Sequence, residues 1–308
     1  MGNKNQLPLV SVIIPAYNRA HTIKMTLDSV LNQTYKNYEI IIVDDNSKDN
    51  TYEVIKPYLG DKVFYYKNEK NLGGGKSRNV GVEHSNGSIL AFLDSDDEWL
   101  PEKLEKQVNI FMANEDIALV YTKFYLISET SGKKFVSIET KRLNNDFKSI
   151  LCNNFIATTS TIAVRREAFL DINGFDDYLK TCQDWDLYIR ILKKYKVKGI
   201  EEPCVNYYYH TESITGNAQN VINSHIIVNE RIDKIIEENN FTPEEIKVIK
   251  SCHAERMAHI YAKFKDFKNA RKYFIEALKY DKKNKKALKH LLASCLGDKI
   301  YFKLKKTK

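Results

Sequence analysis

The chain has 308 residues, 43% of them hydrophobic, with 48 Lys plus Arg against 40 Asp plus Glu and a formal charge of +8. Only 12 Gly and 6 Pro exclude a collagen-like or low-complexity chain. At roughly 100 to 200 residues per domain, the length predicts two domains, or one large domain with an appendage.

Over the first 120 residues short apolar runs alternate with amphipathic ones, the pattern of strands and helices that build a mostly parallel sheet. Strands are predicted at residues 9–14, 39–43, 63–66, 89–93 and 117–121, all rich in β-branched or aromatic side chains. A helix is predicted from near Thr22, with Ile23, Leu27, Val30 and Leu31 on one face, and another after Pro101, with Leu104, Val108 and Phe111 on one face. Ligands of such sheets bind beyond the carboxyl ends of the strands. That rule singles out residues 15–19, 44–47, 71–78 and 94–97.

Two nucleotide motifs fail at these loops. Pro15-Ala16-Tyr17-Asn18-Arg19 lacks the glycines that let a dinucleotide's pyrophosphate approach a helix N-terminus. Gly75-Lys76-Ser77 imitates the end of a P-loop, but Lys70 stands where its first glycine is required. The run 89–93 instead delivers Asp94, Ser95, Asp96 and Asp97 abruptly at a strand end. Alternating Asp94 and Asp96 can aim hard oxygen ligands at Mg²⁺ or Mn²⁺ bridged by a diphosphate. The same spacing suits an Asp-rich turn in which Asp97 caps the helix that follows. It also occurs in haloacid-dehalogenase phosphatases, whose motif continues with Thr or Val where this chain has Glu98.

Four segments in order, Val12-Ile13-Ile14-Pro15-Ala16-Tyr17-Asn18-Arg19, Ile42-Val43-Asp44-Asp45-Asn46-Ser47, residues 71–79 ending Ser77-Arg78-Asn79, and Phe92-Leu93-Asp94-Ser95-Asp96-Asp97, together resemble glycosyltransferase family 2. Gln183-Asp184-Trp185-Asp186-Leu187 resembles that family's acidic catalytic motif, and residues 205–210 followed by Ser213 resemble the segment closing its catalytic domain. The family more often has Thr at Ala16 and Glu at Gln183. The resemblance covers residues 7–215 and implies an α/β fold of the GT-A type: a Rossmann-like, mostly parallel sheet with flanking helices, in an inverting enzyme that uses nucleotide-diphosphate sugars.

The resemblance also implies residue roles. Pro15, Tyr17 and Asp45 would surround the nucleobase, with Asp45 accepting from a uracil N–H, and Arg19 and Arg78 near the nucleotide. Asp94 would contact the ribose beside Ser95, while Asp96 and Asp97 would hold a divalent cofactor, Mn²⁺ or Mg²⁺, with His210 as a further ligand. Asp184 would be the general base, a role that typically contributes about 10²–10⁴-fold. Leu187, Ile191 and Leu192 continue an apolar face after it, so the motif is expected to start a helix.

Past residue 220 the composition turns helical. Thr242-Pro243-Glu244-Glu245 reads as cap, first-turn proline and capping box. Ala258, Tyr261, Ala270, Phe274 and Ala277 follow a tetratricopeptide-like spacing, with a further helix at 285–296, and a generic helical hairpin accounts for them equally. Residues 241–308 hold 19 basic and 7 acidic side chains, so the basic character of the chain belongs to its last quarter. A chain-wide nucleic-acid surface is thereby excluded. The terminal lysines, from Lys299 to Lys308, are expected to face an anionic membrane surface or a protein partner, with Tyr301, Phe302 and Leu304 supplying apolar contacts.

No secretory apolar segment opens the chain, and no run approaches the roughly 18 apolar residues of a spanning helix. Cys152, Cys182, Cys204, Cys252 and Cys295 contain no CxxC pair, which argues against a disulfide framework or zinc cluster. A cytoplasmic protein, peripheral at the cytoplasmic face of the membrane, is expected. The domains are read as 1–220, catalytic, and 221–308, a basic helical appendage. The function read from all this is transfer of a sugar from a UDP-sugar to a hydroxyl of a glycan or lipid-linked acceptor. A noncatalytic protein-interaction scaffold and a metal-dependent phosphatase are the alternatives.

Overall fold

The computed structural model describes residues 7–128, 132–138, 141, 143–209 and 217–305. They fall into two compact units. The first holds the described residues up to 138 with 156–179 and 183–209, and the second holds 141, 143–155, 180–182 and 217–305. The helical unit therefore takes in two excursions, 141–155 and 180–182, from the middle of the chain.

The first unit opens with β1 (Val10–Ala16), α1 (Ile23–Leu31), β2 (Tyr38–Asp44), α2 (Thr51–Ile55), β3 (Val63–Lys67), α3 (Gly74–Glu83) and β4 (Ile89–Phe92). It continues with β5 (Glu98–Trp99), α4 (Lys103–Ala113), β6 (Ile117–Ser128) and β7 (Lys134–Val136). After α5 (Asp146–Cys152), which belongs to the second unit, come β8 (Ile162–Arg165), α6 (Arg166–Asp171), α7 (Gln183–Lys194) and β9 (Lys196–Tyr209). The sheet order is β3-β2-β1-β4-β8-β6-β9-β5, with β7 on β6. Strands β3, β2, β1 and β4 are mutually parallel, and β8 joins β4 antiparallel.

All seven residues of β2, and all but Pro15 in β1, are buried, as expected of strands covered on both faces. Helix α1 buries Ile23, Leu27 and Val30, whereas Leu31 is exposed, one step past the apolar stripe at the last turn. Helix α3 lies directly on β1 and β2: a Cβ on Gly81 would come within 2.5 Å of an Ile13 methyl carbon. At the opposite end from the candidate site, buried Glu39 accepts hydrogen bonds from Ser11 Oγ (2.7 Å), Asn86 N (2.5 Å) and Gly87 N (3.3 Å), fixing the turn into β4. Helix α4 starts at Lys103, so Pro101 precedes it and is not in its first turn, and Leu104, Val108 and Phe111 are buried as the periodicity predicts.

The second unit consists of α5 with α8 (Ala218–Glu238), α9 (Pro243–Lys263), α10 (Phe267–Tyr280), α11 (Lys285–Cys295) and α12 (Asp298–Lys305). Its helix starts are legible in sequence. Thr242 and Glu245 form the expected reciprocal capping box, and Asn217, Asp266 and Asn284 each accept a first-turn backbone N–H. Ala254, Ala258, Ala262, Ala270, Ala277, Ala287 and Ala293 surround Phe274 and Tyr301 in a core where small side chains let the helices approach closely. Tyr301 is therefore not the bilayer contact expected of it. Its ring packs near Phe267, Phe274 and His290, and its hydroxyl shares a 2.7 Å hydrogen bond with His259 Nδ1. Phe302 is half-buried against the same core, and the Leu304 side chain lies outside the described residues.

Candidate active site

Because β1, β2 and β4 run parallel, the loops that follow them leave the same end of the strands, and residues far apart in sequence, Arg19 and Asp96 among them, meet there. The first two loops lock together through Asn18 and Asn46, both in left-handed conformations with φ of 53° and 66°. Asn18 N donates to Ser47 Oγ (2.9 Å), Lys48 N to Asn18 Oδ1 (2.8 Å), and Arg19 N to Thr51 Oγ1 (2.7 Å). Pro15 is half-buried at the end of β1, and Tyr17 stands 43% exposed beyond it. Asp45 is buried, accepting from Leu72 N (2.7 Å), Gly73 N (2.8 Å) and Asn68 Nδ2 (2.8 Å). It thereby clamps the segment before α3 to the end of β2. Gly73, at φ 88°, supplies the left-handed turn that segment needs.

Arg78 projects from α3 and pairs with Asp94, its guanidinium 5.4 Å from the Phe175 ring centroid and its Nε without a hydrogen-bond partner among the described residues. Arg19 pairs with Asp96 at 3.3 Å. Ser95 is buried between the two aspartates. Asp97 is buried too, accepting from Ser160 Oγ (2.5 Å) and Tyr208 N (3.3 Å), so its carboxylate knits this loop to the short helical turn at residues 159–161 and to β9 and does not cap α4. Burial pushes the Asp97 carboxyl well above its ordinary range, and the charges of Asp94 and Asp96 add to the rise.

Asp184 opens α7, as the sequence pattern predicts. Loss of water pushes its carboxyl up to about 6, the Arg78 guanidinium opposing the rise and Asp94 reinforcing it. The base candidate and the Arg78–Asp94 pair thus share one electrostatic environment. Gln183 folds its amide back onto Leu179 O (2.6 Å) and against Gly75, where any Cβ would come within 2.8 Å of it. His210 lies outside the described residues.

Several residues of the site carry no sequence signal. Thr159 Oγ1 donates to Asp94 (3.1 Å), and Ser160 Oγ accepts from Asp94 N (3.1 Å) while donating to Asp97. Burial raises the pKa of the Tyr207 hydroxyl, and the charges of Asp97, Asp94, Asp96 and Asp184 add to the rise. Tyr188, one turn after Asp184, buries a hydroxyl with no hydrogen-bond partner among the described residues. The Tyr207-Tyr208-Tyr209 run was visible in sequence, but which of its rings faces the site depends on the pleat of β9.

The profile described as Glycosyl transferase family 2 matches residues 11–172, more than half of the chain. The chain belongs to glycosyltransferase family 2. This family 2 glycosyltransferase is 30% identical over 263 residues to a Haemophilus influenzae protein described as an uncharacterized glycosyltransferase, covering 83% of this chain and 88% of that one. It is 32% identical over 212 residues to the Escherichia coli UDP-Glc:alpha-D-GlcNAc-diphosphoundecaprenol beta-1,3-glucosyltransferase WfgD, covering 68% and 80% of the two chains. A crystal structure of S. aureus TarS in complex with UDP-GlcNAc matches 87% of this chain and 90% of its own, with a TM-score of 0.62 at 17% identity, which shows a shared GT-A fold. The aspartates at the end of β4 accordingly belong to a glycosyltransferase and not to a haloacid-dehalogenase phosphatase. Among the described residues no helix is long and apolar enough to cross a membrane, and all five cysteines are free thiols.

Proposed function

We propose that this chain transfers a sugar, with inversion, from a UDP-sugar to a hydroxyl of a glycan or lipid-linked acceptor at the cytoplasmic face of a membrane, in polysaccharide or glycoconjugate synthesis. The observation that carries the reading is Asp184, a carboxyl raised to about 6 in the same field as the Arg78–Asp94 pair at the end of β4. A carboxylate with that pKa is ionised near neutrality yet basic enough to take a proton from an attacking hydroxyl. The WfgD name, with its UDP-linked donor and diphosphoundecaprenol acceptor, and the UDP-GlcNAc bound by TarS support the donor and acceptor classes.

In this reading Asp184 removes the acceptor proton as the oxygen attacks the anomeric carbon, and the bond from that carbon to the diphosphate oxygen breaks on the opposite face. Arg78 and Arg19 would offset the negative charge that gathers on the departing diphosphate. Asp45, already holding Leu72 and Gly73, presents its remaining lone pairs to a uracil N–H, with Pro15 and Tyr17 as the walls of the base site. Asp94, held by Arg78 and Thr159, reaches the ribose beside Ser95.

A divalent ion suits this donor set. Mg²⁺ or Mn²⁺ bound largely through a diphosphate needs only one or two protein carboxylates, and among the described residues there is no cluster of three or more His, Cys, Asp or Glu that could hold a metal alone. In this reading Asp96, partly exposed and paired with Arg19, takes the metal role, with Asp97 behind it fixing the loop. The Mn²⁺ in the GDP-Man complex of the mannosyltransferase PcManGT from Pyrobaculum calidifontis, with a TM-score of 0.57, supports such an ion. When bound, it would neutralise charge on the leaving diphosphate.

The test is a panel of nucleotide sugars with Mn²⁺ or Mg²⁺, read as nucleotide release and as donor-dependent thermal stabilisation, which reports binding even without the acceptor. UDP-sugars should stabilise the protein and GDP-sugars should not. Stabilisation by neither class, with or without metal, defeats the donor assignment.

A further inference from the structure

Helix α11 buries Ala287, His290, Ala293 and Ser294 in the core of the helical unit. At 100° per residue the opposite side carries Leu288, Leu292 and, at its C-cap, Leu296, which are 46%, 59% and 67% exposed. A helix packed on one side ordinarily shows polar side chains on the other; here the outward side is a row of leucines. Ile300 of α12, the helix that follows Gly297, adds a further exposed apolar side chain. Lys285 and Lys289 are exposed on the same side of α11, with Lys282 and Lys283 before it and Lys299 and Lys303 after it also exposed. Residues 281–308 contain ten lysines and two aspartates.

We propose that this outward face of α11 docks on a lipid bilayer that carries anionic headgroups. Such a surface matches both halves of the pattern: leucines enter the boundary between headgroups and acyl chains while lysines, on flexible stems, reach the phosphates. Pairing with a second copy through the same face would set one lysine-rich helix against another, so charge opposes self-association where it favours an anionic membrane. The face corrects the expectation from sequence, which assigned the apolar contacts to Tyr301, Phe302 and Leu304, at its first member, Tyr301. That ring is in the core, and the side chains free to enter a bilayer come one helix earlier.

The surface stands independently of the donor and acceptor assigned above, so membrane binding is measured apart from sugar transfer. The full-length protein is sedimented at low salt with vesicles of phosphatidylglycerol and phosphatidylcholine in equal parts, and with vesicles of phosphatidylcholine alone. It should partition onto the anionic vesicles and leave them at high salt. The triple substitution Leu288→Ser, Leu292→Ser and Leu296→Ser should weaken that partition by at least about tenfold, with an unchanged thermal midpoint and unchanged nucleotide binding, because these side chains lie outside the core. Lys285→Glu with Lys289→Glu should weaken it as well, without altering any apolar residue. Equal partition of the wild type and the leucine variant, or equal binding to both kinds of vesicle, overturns the proposal. So does a concentration-dependent oligomer that the leucine substitutions dissolve in a protein that ignores vesicles, since the face would then be a contact between copies of the chain.

Discussion

At the scale of single residues, the reading turns on two carboxylates whose surroundings differ. Asp184 has lost water and its proton is held up to about 6, above the ordinary carboxylate value near 4. A base must be ionised to work, so transfer under saturating donor should rise with pH through about 6 and level off above it. Asp184→Asn should abolish that acid limb and lower transfer by at least about 10²-fold, with donor affinity retained, because the proton acceptor matters mainly in the transition state. A variant that keeps near-normal rates and the same limb would move the base elsewhere, with Asp186 disfavoured because Arg190 already grips it at 2.7 Å. Asp96, like Asp184 neither buried nor fully exposed, is instead paired with Arg19 at 3.3 Å, a contact that contributes at most about 1 kcal/mol to stability. Asp96→Ala should leave the melting temperature nearly unchanged while greatly reducing metal-dependent binding of UDP. Unchanged UDP affinity and Mn²⁺ dependence, measured by calorimetry, would remove Asp96 from the metal role.

At the scale of elements, α4 carries a feature that its amphipathic pattern conceals. Lys103 is wholly buried, its ammonium 3.9 Å from the Trp99 ring centroid and 2.8 Å from Gln107 Oε1, and burial pulls it down to about 7. Trp99 in turn donates to Ser160 O (2.8 Å), so the lysine lies behind the hydroxyl that holds Asp97. An unfolded lysine keeps its proton to about 10.4, so between about 7 and 10 the unfolded chain binds more protons at this position and Lys103 makes stability rise with pH. Lys103→Met should remove that rise. Near pH 6, where the folded lysine must be charged in an apolar site, it should also raise stability by about 1–2 kcal/mol, a gain reduced by the lost Gln107 contact. Denaturant midpoints across pH check both expectations, and a destabilised variant with an unaltered pH slope would make the lysine a plain structural contact.

At the scale of the molecule, two units carry different charge and different kinds of core. The first is built from β-branched strands; the second from alanine-lined helices closed by Phe274 and Tyr301. Tyr301→Ala should destabilise the helical unit by about 3–5 kcal/mol, the usual cost of deleting a large buried ring, and should cost the His259 hydrogen bond as well. Hydrogen exchange should locate the loss in α9 to α12, whereas a uniform shift in the first unit would contradict the division. The same burial means that deleting residues 298–308 opens this core. Membrane binding is therefore probed by point substitutions on α11 and not by truncation.

Sequence alone accounts for many of the elements, because their signals are local. Alternating and continuous apolar runs gave β1 to β4, the Thr242 box gave the start of α9, and Asp184 falls at the start of a helix as its apolar spacing requires. The candidate aspartates were also legible, since a polar run at the end of an apolar strand has no place in a core. Tertiary structure decided what each of them touches. Asp97 turned inward to Ser160 and to the backbone N–H of Tyr208, and Asp96 outward to Arg19, through pairings with residues roughly 60 to 110 positions away, which no local period encodes. It decided likewise that Tyr301 is core and Leu292 is surface. Both are apolar residues on basic amphipathic helices, and only the packing of α11 and α12 against α9 and α10 selects which side is covered.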